Sequence, residues 1–89
     1  MRQAIVTKYH GPTNTRGSRI TARAEAGSVT VDYDHALNAG DNHLAAARRL
    51  AEKLGWSGDW FGGGLPSGGY CFVCADRAPD SAFTVEAAQ

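Results

Sequence analysis

The sequence predicts an α+β fold: an antiparallel sheet of about four strands with one helix packed on one face, in the order β-β-β-α-β. Three observations predict it. Apolar and polar residues alternate strictly over 19–26 and 28–34, a helical stripe runs over 41–54, and a short apolar run occupies 70–74.

Residues 4–9 are rich in β-branched and aromatic side chains and read as a first strand. In the second, Ile20, Ala22, Ala24 and Ala26 fall on one face while Arg19, Thr21, Arg23 and Glu25 fall on the other. Gly27 marks a tight turn, after which Val29, Val31 and Tyr33 alternate with Ser28, Thr30 and Asp32. Alternation this regular belongs to a sheet with one wet face, and an antiparallel meander is the simplest arrangement. After a connector at 35–40, Asp41 or Asn42 is expected to cap a helix that runs to about Leu54. Leu44, Ala47, Leu50, Ala51 and Leu54 form its apolar stripe, Arg48, Arg49, Glu52 and Lys53 its polar side, and Gly55 suits the left-handed position that stops it. Trp56 and Trp60 either close the edge of the core or form a binding surface. Residues 62–69, with Gly62, Gly63, Gly64, Gly68 and Gly69, read as a flexible loop, 70–74 as the fourth strand, and the loops at 10–18 and 57–69 as the expected working surfaces. Residues 82–85 carry a weak strand signal, but the tail from 75 to 89 is expected to be disordered.

A chain of 89 residues holds apolar material for one modest core, so one domain is expected. Eleven glycines and three phenylalanines make that core lean, and a homodimer is one way to supplement it. Nine basic and nine acidic residues balance, which argues against a strongly basic nucleic-acid binder or an acidic DNA mimic as a description of the whole molecule. The charges are segregated, however. Residues 1–24 carry Arg2, Lys8, Arg16, Arg19 and Arg23 without an acid, and residues 25–41 carry Glu25, Asp32, Asp34 and Asp41 without a base. No apolar run suits a membrane span or a signal peptide, so the expected location is the cytoplasm, with no membrane partner.

No combination of residues announces chemistry. Cys71 and Cys74 have Cys-x-x-Cys spacing, with His35 and His43 as conceivable further ligands, yet on a strand positions i and i+3 face opposite ways. They are expected to be buried free thiols, and no metal site is assigned. The glycine-rich run lacks a Gly-Lys-Ser or Gly-Lys-Thr ending and precedes a strand, which does not suit a phosphate-cradling loop before a helix. His10, His35 and His43 have no nucleophile and acid at a triad-like spacing, and Asp32 and Asp34 have no evident pocket to separate their pKa values. The expectation is a non-enzymatic protein with no cofactor.

The most distinctive stretch is 8–19, where Lys8, Tyr9, Thr13, Asn14, Arg16 and Arg19 crowd around Gly11, Pro12 and Gly17. It reads as a presentation loop, with Arg23 extending its cationic stripe and with Trp60 and Phe61 as aromatic anchors on the glycine-rich loop. The string Lys-Tyr-x-Gly-Pro-Thr-Asn-x-Arg-Gly-Ser-Arg, preceded by 3–7 and followed by Ile20 and later by Leu54-Gly55-Trp56, resembles a group of short uncharacterised proteins encoded by phages and mobile elements. The likeness covers roughly residues 3–74. It implies a setting in which small proteins, anti-CRISPR proteins among them, inhibit host defence by binding it. The partner expected on that ground is a host protein or ribonucleoprotein complex, and the alternative is direct nucleic-acid binding through the basic N-terminal hairpin.

Overall fold

The computed structural model describes residues 4–15, 17–75 and 83–85. The fold is α+β, with strands β1 (Ile5–His10), β2 (Arg19–Ala24) and β3 (Gly27–Asp32), helix α1 (Ala39–Leu54), then β4 (Gly58–Gly64), β5 (Tyr70–Ala75) and β6 (Phe83–Val85). All strand pairs are antiparallel, in the spatial order β3-β2-β1-β5-β4-β6. The initial β-β-β-α-β order therefore stands, with six strands in place of about four.

The register assigns every side chain to a face. Ile5 and Thr7 on β1, Ile20 and Ala22 on β2, Trp60 on β4 and Phe72 on β5 point inward and are buried. Ala46, Ala47, Leu50 and Ala51 of α1 meet them, while Leu44 and Leu54 pack at the margins of that contact. The alanines let the helix approach the strands closely. His43 and Asn42 are buried on the same side of the helix, two polar positions that an apolar stripe alone does not reveal.

The helix begins one turn earlier than its sequence suggests. Asn38, in extended backbone, is the N-cap, and its Oδ1 accepts from the Asp41 amide at 2.8 Å. Asn42 is consequently free to do something else. Its Oδ1 accepts from the Asp34 amide at 2.7 Å, and its Nδ2 donates to the carbonyls of Asp34, Leu37 and Asn38 at 2.9, 3.3 and 3.0 Å. One buried amide thus organises the whole connector between β3 and α1. At the other end Gly55 adopts φ 70°, donating to Glu52, and Trp56 donates to the Ala51 carbonyl at 2.9 Å, the paired bonds of a Schellman stop. Lys53, in the last turn, donates from Nζ to the Ser28 carbonyl at 3.1 Å on the edge strand β3.

Residues 62–69 are not a flexible loop. Gly58–Gly64 is a strand, paired residue for residue with β5 from Asp59↔Ala75 to Gly64↔Tyr70. The Phe72 ring lies over Gly62, its cross-strand partner, in space that a Cβ would occupy. Leu65 to Gly69 close the hairpin: Leu65 donates to the Gly69 carbonyl at 2.7 Å and Gly68, at φ 95°, donates to Leu65 at 2.9 Å. The tail is likewise not wholly irregular, because Phe83–Val85 pairs with β4 as β6; the other positions of 76–89 lie outside the described residues.

Trp60 lies wholly within the core, with Trp56 stacked on it at 6.1 Å between ring centroids. Cys71 and Cys74 take opposite faces of β5, as their spacing requires, but both are half-buried rather than buried. Among the described residues no helix is long and apolar enough to cross a membrane.

Candidate functional site

Helix α1 covers one side of the sheet, and among the described residues no element covers the other. Cross-strand pairing places residues on it in rows. Ser28, Arg23, Val6, Cys71 and Gly63 form one row, Thr30, Thr21 and Lys8 the next, and Asp32, Arg19 and His10 a third. Thr21 and Thr30 share a 3.1 Å hydroxyl hydrogen bond across β2 and β3. On the far side of Val6, Val73 stands opposite Phe61. Val6 and Val73 are 42% and 49% exposed, high for aliphatic side chains; Val6 pairs with Arg23, while Val73 lies one row further from Lys8 and Arg19. The outer face is therefore apolar toward β5 and β4 and basic toward β2.

Beyond Thr7, β1 no longer has β5 as a neighbour, since their pairing ends at Thr7↔Tyr70. The β4–β5 turn bends across that space and leaves a cleft of about 750 Å³, with Val6, Lys8, His10, Thr21 and Arg23 on one side and Ser67–Gly69 on the other. Gly69 is required there, because a Cβ on it would run into the Thr7 carbonyl. Among the described residues no acidic side chain lines the cleft.

The residues singled out by sequence are distributed as follows. Lys8, Arg19 and Arg23 share the outer face, and Phe61 joins them, half-buried, from β4. Tyr9 points to the helix side at the end of the sheet, 44% exposed, with its ring edge-on to Tyr33 at 5.4 Å and its hydroxyl donating to Ser18 Oγ at 3.0 Å. Thr13 and Asn14 are exposed in the loop after β1, where Thr13 Oγ1 accepts from the Thr15 amide at 3.4 Å. Arg16 lies outside the described residues. Trp60 must be withdrawn as a surface anchor: it points to the helix side, opposite Phe61, and is sealed from solvent. Val6, Cys71 and Val73 were not among the sequence's candidates, whereas the Ser67–Gly69 turn falls within the loop at 57–69 expected to form a working surface. The alternation of β1 holds the signal for the first, since Val6 shares a parity with Lys8.

A second polar feature lies beneath the helix. Thr7 Oγ1 and His43 Nδ1 are hydrogen-bonded at 2.7 Å, and the Thr7 hydroxyl also approaches the Tyr70 carbonyl at 3.4 Å. The imidazole packs on the Tyr70 ring at 4.5 Å. Burial penalises the charged imidazolium and pushes the His43 pKa below its ordinary value. Although a hydroxyl beside an imidazole has the makings of a nucleophile and its base, Thr7 is 0% and His43 3% exposed, so no substrate reaches either. The pair links strand to helix. Among the described residues no group of three or more His, Cys, Asp or Glu side chains is placed to hold a metal.

Comparison with protein-family models, curated proteins and solved structures returns no match to this chain. Its class is thus defined by fold and face alone, as a small α+β protein with one open, partly basic side of its sheet.

Proposed function

We propose that this chain is a small non-enzymatic accessory protein of a phage or mobile element that binds and inhibits a host defence complex, using the outer face of its sheet. One observation carries the proposal: exposed Val6 and Val73 share with Arg23, Lys8 and Arg19, in successive rows, a sheet face that no element of the described chain covers. Apolar contact gives such a face affinity, and its cations select an acidic partner surface and speed the encounter. The motif in residues 8–19 supports the genetic setting, and the exposed Thr13 and Asn14 extend the surface at one end.

The test is affinity capture from a host lysate followed by an activity assay of the captured assembly. The proposal expects one stoichiometric complex whose activity falls as the protein is added. Val73→Glu combined with Arg19→Glu should abolish both capture and inhibition with the circular dichroism spectrum unchanged. Undiminished capture by that double variant would remove the outer face from the proposal.

A further inference from the structure

We infer that the cleft between β1 and the β4–β5 turn binds a nucleoside phosphate, as a free nucleotide or as a unit of a single strand. Lys8 and Arg23 are diagonal neighbours across the β1–β2 ladder, since Val6 pairs with Arg23 and Lys8 with Thr21. Such positions lie about 7–8 Å apart along the backbone, which lets two long cationic side chains converge on one tetrahedral anion. Neither has an ion pair or hydrogen bond among the described residues. Both therefore keep their full donor capacity, and the Arg23 guanidinium can bind two phosphate oxygens at once.

The remaining walls extend the argument from phosphate to nucleotide. A cleft of about 750 Å³ lies within the range of small-ligand sites and is far larger than a phosphate needs. The Thr21 and Ser67 hydroxyls offer hydrogen bonds suited to a ribose, and Val6 with the His10 ring supplies apolar and aromatic surface on which a base can rest. A carboxylate ligand would find the same cations but would leave this second half of the cleft unused. The site shares Val6, Lys8 and Arg23 with the outer face proposed above, but Val73 and Arg19, on which that proposal is tested, do not line the cleft, so either can fail without the other.

The experiment uses the purified chain and fluorescein-labelled oligouridylate and oligothymidylate in anisotropy titrations at about 20 mM and about 150 mM salt, with AMP, ATP and inorganic phosphate as competitors. Binding should weaken with salt, and Lys8→Glu with Arg23→Glu should reduce it roughly tenfold or more, lowering the log–log salt slope by about 1.4 for two phosphate contacts. Arg49→Glu, on the exposed side of the helix, should change nothing. Competition by AMP or ATP assigns the site to free nucleotides, whereas binding of the oligomers without such competition assigns it to single strands. The inference is overturned if no probe or competitor binds at low salt, if binding survives the double charge reversal, or if inorganic phosphate competes as well as AMP.

Discussion

Thr7 Oγ1 and His43 Nδ1 lie 2.7 Å apart, joining the middle of β1 to the first turns of α1 inside the core. The imidazole is held neutral by burial, so its folded pKa is lower than its unfolded value of 6.5. Protons then bind the unfolded chain more readily than the folded one in the window between the two values. The associated stability is fully present above pH 6.5 and is lost as pH falls through 6.5 toward the depressed folded pKa. Urea midpoints on either side of pH 6.5 should reveal this loss, and His43→Asn should flatten it. An unchanged pH slope in that variant would assign the acid sensitivity to other groups.

Asn42 uses both ends of its amide on the backbone around Asp34. Asn42→Ala should cost about 1–3 kcal/mol, because buried backbone groups lose their partner. Asn42→Asp preserves the shape but replaces the donating Nδ2 with an oxygen facing three carbonyls. It should be the worse of the two at neutral pH and improve as the carboxyl protonates, a reversal that denaturant melts at two pH values would detect.

The glycines of the β4–β5 hairpin are not equivalent. Gly69→Ala drives a Cβ into the Thr7 carbonyl and should cost about 1–3 kcal/mol through backbone displacement. Gly63→Ala meets nothing within 4 Å and has no positive φ, so its effect should stay within about 0.5 kcal/mol. Thermal melts of the two variants should separate clearly. Similar melting temperatures would refute the close approach of β1 to the turn.

Trp60 and Phe61 are adjacent in sequence and opposite in consequence. Trp60→Ala empties a fully buried site and should cost about 3–5 kcal/mol, enough to unfold much of a marginal domain. Phe61→Ala, on the outer face, should leave the chain folded and show its effect in partner capture. If Trp60→Ala kept native stability, the inward direction assigned to this indole would be wrong.

Much of the fold is legible in the chain because its first three strands and its helix obey simple periods. Ile20 and Ala22 alternate with Thr21 and Arg23, and the Ala47, Leu50 and Ala51 stripe and the Gly55 stop are found where periodicity places them. The reading fails where side-chain pattern is absent or misleading. Gly62, Gly63 and Gly64 have no side chains to alternate, yet their backbone groups pair with β5 as well as any others. The sequence offers Asp41 or Asn42 as the helix start, and only the fold around Asp34 shows Asn38 at the cap and Asn42 in the interior. For the candidate site, Lys8, Arg19 and Arg23 share a face that strand parity reveals, but the cleft depends on a turn about sixty residues away.

Lys53 also bears on how copies of the molecule behave when crowded. Strand β3 ends the sheet, and a bare edge invites another strand to join it. By donating to the Ser28 carbonyl, the Lys53 ammonium occupies the first rung that an incoming strand would use. A newcomer pairing at Ser28 would have to displace a hydrated charge to gain that bond. One flexible side chain thereby works as a stopper against filament growth at this margin.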